Sequence, residues 1–164
     1  MPSWEEALEL LAQGRGTALK RYGYLLCGSE ADASDLVQEA LIRVFARPRR
    51  DWALPALEAY VRKAMLHYHL DQTARRRRWL EIMPRIADRR DSPAADASTE
   101  RADVVQLLQE LSPRQRACVV LFYYEDRPLQ EIATLLDCGV GTVKRHLDDA
   151  RKRLAAAWHV TSEG

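Results

Sequence analysis

Apolar residues recur at helical spacing along almost the whole chain, and no segment shows the strict alternation expected of a half-buried strand. Ser3 and Glu6 form a capping-box pattern that predicts the start of the first helix. Gly14 and Gly16 are predicted to break that helix, so that a second one begins near residue 17. The second helix is predicted to stop at Gly28, because glycine favours the left-handed conformation that ends many helices.

The next predicted helix carries two contrasting stripes. Ser29 is expected to cap it, and it should end before Pro48. The stripe expected to be buried contains Leu36, Val37, Ala40, Leu41, Val44 and Phe45. The opposite stripe contains Asp35, Gln38, Glu39 and Ile42. An acidic face that includes an isoleucine fits a docking surface for a basic partner with some apolar area, and it fits a solvated helix face equally well.

A long helix is predicted from Pro55 to about residue 79. Its buried stripe is expected to contain Leu57, Val61, Ala64, Met65, Tyr68 and Trp79. A second stripe contains Tyr60, Lys63, His67, Asp71, Ala74 and Arg78, and the helix end carries Arg75, Arg76, Arg77 and Arg78. Such basic groups supply salt-dependent affinity for a nucleic-acid backbone, although arginines at a helix end also complement the helix dipole. Because the second stripe extends the basic surface, nucleic-acid contact is the favoured interpretation.

Two segments flank this long helix. The loop before it is basic and contains Trp52. An aromatic ring beside cations can hold an unstacked base, although Trp52 fits a core anchor equally well. After the helix, residues 84–98 are rich in proline, aspartate, alanine and serine, a composition that predicts a flexible linker.

Four more helices are predicted beyond the linker, at residues 99–110, 113–125, 129–136 and 140–158. The last two, with the tight turn between them, match the helix-turn-helix pattern. The internal stripe of this motif is expected to contain Ile132, Leu136, Val143, Leu147, Ala150 and Leu154. The first residues of a recognition helix reach base edges in the major groove. In this chain they include Thr142, Lys144 and Arg145.

Two carboxylates occupy outward positions farther along the recognition helix. Asp148 and Asp149 each lie four residues after a cation, so they can pair with Lys144 and Arg145. One of them could instead accept a hydrogen bond from cytosine N4. A third interpretation is that the domain is a protein-docking module whose carboxylates face a partner.

Composition narrows the class of protein. The chain has 164 residues, with 25 basic and 24 acidic side chains, so only the distribution of charge is informative. Its three cysteines are dispersed without a CxxC pair, which predicts reduced, core-packed thiols in a cytosolic protein. The N-terminal residues are acidic where a signal peptide needs bases, and no apolar run approaches the ~20 residues of a membrane span. We therefore expect a soluble, cytoplasmic protein.

Two motifs, in this order along the chain, resemble parts of one family. DLVQEA at residues 35–40 resembles the core-polymerase-binding helix of extracytoplasmic-function (ECF) sigma factors of bacterial RNA polymerase. SPRQR at residues 112–116, with the helix-turn-helix, resembles sigma region 4, which reads the −35 element. The amino-acid sequence of these segments is most similar to that of actinobacterial members of the family. The resemblance implies an all-α protein with a region 2-like helical domain (residues 1–83), a linker (84–98) and a region 4-like helix-turn-helix domain (99–160).

The resemblance also implies sites and partners. The stripe of Asp35, Gln38, Glu39 and Ile42 would dock on the clamp of the largest polymerase subunit. The residues that would open and hold the −10 element are Trp52, Tyr60, Lys63, His67, Arg75, Arg76, Arg77 and Arg78. Those that would contact the −35 element are Arg114, Arg116, Thr142, Lys144 and Arg145. Leu121, Phe122 and Leu129 could hold the flap tip of the second-largest subunit, although Leu121 fits the core equally well. An anti-sigma factor is a further implied partner.

The sequence departs from the family pattern at several positions. Tyr60 stands where many members have tryptophan, and His67 stands where many have asparagine. In the helix-turn-helix, Pro128 replaces a capping serine and Asp137 occupies the usual turn glycine, a position for which aspartate is better suited than most residues.

Two rival functions fit parts of the sequence. Residues 142–154, TVKRHLDDARKRL, resemble the output helix of LuxR-type regulators, which would bind duplex DNA without polymerase. An enzyme would need a catalytic or metal site. His67 and His69 point about 200° apart on one helix, and His67 with Asp71 supplies too few ligands for zinc. The chain has no Gly-rich phosphate loop or nucleophile elbow, so neither catalysis nor a cofactor, metal or small-molecule substrate is expected.

Overall fold

The computed structural model describes residues 3–47, 53–83 and 99–162, and the chain divides into two compact units, Met1–Ala94 and Ala95–Gly164. Helices dominate both units, and the described residues contain no strand, so the all-α prediction is confirmed. None of the described helices is long and apolar enough to cross a membrane. The predicted linker and Trp52 lie outside the described residues.

The first unit contains three mutually packed helices, α1 (Trp4–Cys27), α2 (Glu30–Phe45) and α3 (Leu54–Ile82). The predicted break in α1 is wrong, because the helix continues through Gly14 and Gly16. Leu11 and Leu19, which lie on either side of the glycines, are both buried in the core. Burial of this continuous apolar face outweighs the ~1 kcal/mol that each glycine costs relative to alanine.

Local signals set the helix ends as predicted. Gly28 ends α1 with a φ of 78°, and its N–H donates to the carbonyl of Tyr24. The hydroxyl of Ser29 then accepts a hydrogen bond from the N–H of Asp32 at 3.3 Å, which caps α2. Leu41 and Phe45 of the predicted buried stripe of α2 are only half-buried. The rest of that stripe is buried and comprises Leu36, Val37, Ala40 and Val44.

α3 is the longest helix of the unit, with 29 residues against 24 in α1 and 16 in α2. Its buried positions run from Leu57 to His69 and no farther. Trp79 is therefore 47% exposed, and the prediction that it joins the core is wrong. The reason is length: Trp79 lies beyond the part of α3 that is covered by the other two helices.

A charged cluster ties α1 to α3. Arg15 makes a two-bonded ion pair with the carboxylate of Glu58, at 2.9 and 2.8 Å. Arg62 donates to the same carboxylate at 3.0 and 3.1 Å, and its guanidinium lies 5.0 Å from the ring centre of Tyr22. Hydrogen bonding by Arg15, opposed by burial and reinforced by Arg62, lowers the pKa of Glu58. The Arg15–Glu58 ion pair thus joins two residues that lie 43 positions apart in sequence.

The second unit contains α4 (Thr99–Gln109), α5 (Pro113–Val119), a π-helical segment (Val120–Tyr124), α6 (Leu129–Leu135) and α7 (Val140–Ser162). The helix predicted at residues 113–125 is thus α-helical and then π-helical. The predicted internal stripe of the helix-turn-helix is buried, except that Leu154 is half-buried.

The turn of the helix-turn-helix follows the predicted chemistry. Asp137 has a φ of 51°, in the left-handed region that aspartate tolerates better than most residues. The carbonyl of Gly139 accepts hydrogen bonds from the N–H groups of Thr142 and Val143, at 3.1 and 3.2 Å. Pro128 is the N-cap residue of α6 and gives it no side-chain cap, as the replacement of a capping serine implies.

None of the three cysteines, all of which lie in the described ranges, forms a disulfide. Cys118 is buried, and burial raises its pKa to about 12, so it is a core thiol as predicted. Cys27 and Cys138 are only half-buried, which makes the core-packing prediction correct in part.

Replacing either Gly14 or Gly16 with alanine is expected to stabilise the first unit by about 0.5–1 kcal/mol, because alanine favours helix and reduces backbone freedom in the unfolded chain. A β-carbon at either position would meet nothing within 4 Å. Urea denaturation followed by circular dichroism measures the change. Gly23→Ala is the matched control, since its β-carbon would lie 3.2 Å from Met65 Cε and 3.3 Å from Ala33 Cβ and should destabilise. Destabilisation by both Gly14→Ala and Gly16→Ala would contradict the continuous helix.

The Glu58 cluster should make stability depend on pH. Because its folded pKa is lowered, the stabilisation by Glu58 is complete above its unfolded pKa of about 4.3 and is lost as pH falls through the folded pKa. Urea titrations should therefore find Glu58→Gln clearly destabilised at neutral pH and close to wild type in acid. Glu9→Gln, which removes a carboxylate bonded only to Gln13 on the exposed face of α1, is the control. A gap between Glu58→Gln and wild type that does not narrow in acid would refute the assignment.

Candidate protein and nucleic-acid interfaces

An acidic ridge, defined as Asp35, Gln38, Glu39 and Ile42, runs along the outer side of α2. Asp35 and Gln38 are exposed, and Glu39 is half-exposed. Ile42 is 63% exposed, which is unusual for a large aliphatic side chain. The ridge faces outward because the opposite side of α2 is held in the core by Leu36 and Ala40. Its position thus matches the predicted surface, with apolar area among polar and acidic groups.

Arg43, which the sequence analysis did not select, lies beside the ridge and pairs with one of its carboxylates. Arg43 Nε lies 3.1 Å from Glu39 Oε1, and the Arg43 guanidinium lies 4.6 Å from the ring centre of Tyr68 on α3. Spacing of four residues was the available signal for this pair. Exposed ion pairs contribute only about 0–1 kcal/mol, so a basic group on a partner can displace Arg43 from Glu39 at little cost.

The basic face of α3, defined as Tyr60, Lys63, His67, Asp71, Ala74 and Arg78, is exposed at every position. Burial of Leu57, Val61 and Met65 holds the opposite side of the helix in the core. Arg75, Arg76 and Arg77 are also exposed, and among the described residues the structure gives them no ion pair. Arg78 donates only to the carbonyl of Ala74, at 3.4 Å. These guanidinium groups are therefore available to phosphates.

In the second unit, Thr142, Lys144 and Arg145 are exposed in the first turns of α7. Arg114 is exposed on α5, and its Nη1 donates to the carbonyl of Leu136 at 3.2 Å. That bond places Arg114 beside the turn of the helix-turn-helix. The four side chains lie on the elements from which a helix-turn-helix protein contacts DNA.

Arg116 does not belong to this surface. It is 7% exposed, and it donates from Nε to the carbonyl of Leu108 at 2.8 Å and from Nη2 to the carbonyl of Leu111 at 3.0 Å. Where α4 ends, Arg116 thus adds a charged donor to the carbonyl of Leu108, which also accepts from the N–H of Leu111 at 3.1 Å, and supplies one to the carbonyl of Leu111. The predicted phosphate contact is therefore wrong. Helical spacing from Arg116 to buried Val120 was the sequence signal that it points inward.

One of the two ion pairs considered for the acidic residues of α7 differs in the structure. The carboxylate of Asp148 pairs with Lys152, which follows it by four residues, at 3.2 Å, whereas the prediction paired it with Lys144. Asp149 is half-buried beside His146. Burial and the nearby Arg114 lower the pKa of His146, and Asp149 opposes that shift.

The three apolar residues predicted to hold the flap tip of the second-largest subunit differ in burial. Leu121 is buried and belongs to the core, whereas Phe122 and Leu129 are half-buried. Tyr123, which the sequence analysis did not select, is exposed beside them in the chain. Its hydroxyl accepts a hydrogen bond from Arg151 Nε at 2.9 Å.

Comparison with known proteins assigns both units. Residues 11–79 match the family model "Sigma-70 region 2", and residues 101–154 match "Sigma-70, region 4". An RNA polymerase sigma-E factor of Streptomyces coelicolor is 34% identical over 143 residues, which cover 85% of this chain and 79% of that protein. The ECF RNA polymerase sigma factor SigE of Mycolicibacterium smegmatis is 33% identical over 94% of this chain. This chain belongs to the ECF sigma factors.

The present chain spans 61% of the length of the M. smegmatis relative. A solved structure described as the sigma factor RpoE in complex with the anti-sigma factor NepR from Bartonella quintana has the same fold. Its TM-score is 0.69 at 23% identity, over 96% of this chain and 99% of that one. The acidic ridge and the basic face both lie within the region 2 match, and α6 with α7 as far as residue 154 lies within the region 4 match.

If Arg116 is structural, Arg116→Met should destabilise the second unit by about 2–3 kcal/mol, because two carbonyls lose a hydrogen bond from a buried guanidinium, although that of Leu108 keeps the N–H of Leu111. Arg114→Met, which removes an exposed arginine with one carbonyl bond, should change stability by less than about 1 kcal/mol. Thermal and urea denaturation of the two variants measure the difference. Equal stability of both variants would contradict the structural role of Arg116.

Proposed function

We propose that the chain directs core RNA polymerase to specific promoters and initiates transcription there. The observation that carries this proposal is that one small helical unit, matching sigma region 2, exposes both an acidic ridge and a basic helix face. An acidic face suits a basic protein surface, and a basic face suits DNA. A region 2-type unit with both faces can join the enzyme to the template.

The acidic ridge is the proposed dock for the clamp of the largest polymerase subunit. Asp35 and Glu39 supply charge, Gln38 supplies an amide, and Ile42 supplies apolar area at its exposed end. A basic partner would replace Arg43 as the cation beside Glu39. The flap of the second-largest subunit is the proposed partner of the half-buried Phe122 and Leu129 in the second unit.

The basic face of α3 is the proposed contact with the −10 element. Lys63 and the arginines would bind phosphates, which contributes salt-dependent affinity, while Tyr60 and His67 offer ring surfaces to unstacked bases. Trp52, which precedes α3 in the sequence, is a further proposed contact. In the second unit, Thr142, Lys144 and Arg145 are proposed to approach the major groove at the −35 element, with Arg114 on the backbone.

An anti-sigma factor is a proposed partner, by analogy with the RpoE–NepR complex. The ordered pair of region 2 and region 4 matches favours a sigma factor over a LuxR-type regulator, which would need no polymerase-docking ridge. The two functions differ in a simple assay. A LuxR-type regulator would retard duplex promoter DNA without polymerase, whereas a sigma factor requires the core enzyme.

Run-off transcription on genomic fragments with sigma-free core polymerase from an actinobacterium tests the function. Wild-type chain should yield promoter-specific transcripts that core alone does not. Asp35→Ala with Glu39→Ala should weaken core binding about tenfold, because each exposed charge contributes up to ~1 kcal/mol. Fluorescence anisotropy of the labelled chain measures that affinity.

The matched control is Glu5→Ala with Glu9→Ala, which removes the same charge from an exposed part of α1. This control should bind core like wild type. Absence of promoter-specific transcripts would reject the proposed function. Equal affinity of both double variants would reject the acidic ridge as the dock.

A further inference from the structure

The last part of α3 projects beyond the packed core of its unit. From residue 71 to residue 83 every side chain is exposed or half-exposed. At a rise of 1.5 Å per residue, this overhang is about 18 Å long. It contains Arg75, Arg76, Arg77 and Arg78, and it also carries exposed apolar side chains that the proposed DNA contact does not use.

These apolar side chains form an uncovered tip, defined as Trp79, Ile82 and Met83, which are 47%, 77% and 49% exposed. Spacing of three and four residues places the tip on one side of the helix. The same spacing places Arg75 and Arg78 next to it, four residues before Trp79 and four before Ile82. Glu81, the nearest carboxylate in the overhang, points about 200° away from Trp79. The tip is therefore an aromatic and aliphatic surface bordered by guanidinium groups.

A ligand for this surface must offer both anionic charge and a flat apolar face. A DNA strand with unpaired bases offers both, because phosphates alternate with base faces that stack on aromatic rings. An intact duplex offers the phosphates but hides the base faces. Arg78 of the basic face borders the tip, whereas Trp79 lies about 100° around the helix from Tyr60, in line with the buried Val61. Tyr60 and Trp79 lie 19 positions apart, about 28 Å along the helix.

We propose that Trp79 is a DNA-binding residue, whose indole stacks on an unpaired base at the edge of the opened promoter segment while Arg75 and Arg78 bind the adjoining phosphates. The assignment rests on the proposed function, because it requires the chain to engage opened promoter DNA. It adds an aromatic contact at the far end of α3, well separated along the helix from Tyr60 and His67.

The test compares Trp79→Ala and Trp79→Phe in holoenzyme assembled from core polymerase and the full-length chain. The probes are a fork-junction DNA and a fully duplex DNA, both carrying the promoter found by run-off transcription. Trp79→Ala should weaken binding to the fork about tenfold and leave duplex binding within about twofold, since stacking contributes ~1–3 kcal/mol per base. Trp79→Phe should restore most of the loss. Trp4→Ala, at an exposed tryptophan of α1, is the matched control.

Salt dependence separates stacking from charge. Trp79→Ala should keep the wild-type slope of log affinity against log salt, because it releases no counterion. Arg75→Gln with Arg78→Gln should make that slope shallower by about 1–2. Circular dichroism should find all variants folded, because Trp79 is exposed and alanine favours helix.

Three results would overturn the assignment. The first is unchanged fork affinity for Trp79→Ala, and the second is an equal loss on fork and duplex DNA. The third is a loss of core affinity in the absence of DNA, which would assign the tip to a protein contact. If the wild-type chain still yields run-off transcripts in the same experiments, the proposed function holds and only the assignment of Trp79 is rejected. Failure of the assignment can therefore be distinguished from failure of the proposed function.

Discussion

Burial of one side of α3 is the constraint on which the first unit depends. Leu57, Val61 and Met65 are completely buried, and they hold the helix in a single rotational setting. Tyr60, Lys63 and His67 must then face outward. α2 obeys the same logic, because burial of Leu36 and Ala40 leaves the acidic ridge outside. The two proposed interfaces are therefore consequences of one hydrophobic core, and they keep a fixed relation because the same three-helix packing holds both.

Burial also decides which charged residues serve the fold and which are available to partners. Arg15 and Arg62 share the carboxylate of Glu58, and Arg116 supplies donors to carbonyls where α4 ends. These arginines are engaged within their own units. The arginines of the overhang and of the first turns of α7 are exposed, which leaves them to phosphates. The near-neutral total of 25 basic and 24 acidic residues hides this separation completely.

Local chemistry could be predicted from the sequence, whereas the lengths over which helices cover one another could not. The caps at Ser3 and Ser29, the turn at Asp137 and most of the stripes of α2 and α7 depend on neighbouring residues, and the structure agrees with them. Three failures depend on tertiary packing. α1 continues through two glycines because its core face is continuous. Trp79 is exposed because α3 extends beyond the helices that pack against it. Arg116 is buried because α4 ends beside it.

The central claim is that one helical unit presents protein-binding and DNA-binding faces on two different helices. The most direct measurement replaces Ile42 or Lys63, one at a time, with a photo-crosslinking amino acid and irradiates the complex of holoenzyme with promoter DNA. Crosslinks are expected from position 42 to a polymerase subunit and from position 63 to DNA. Crosslinks from position 63 to polymerase alone, or from position 42 to DNA, would contradict it.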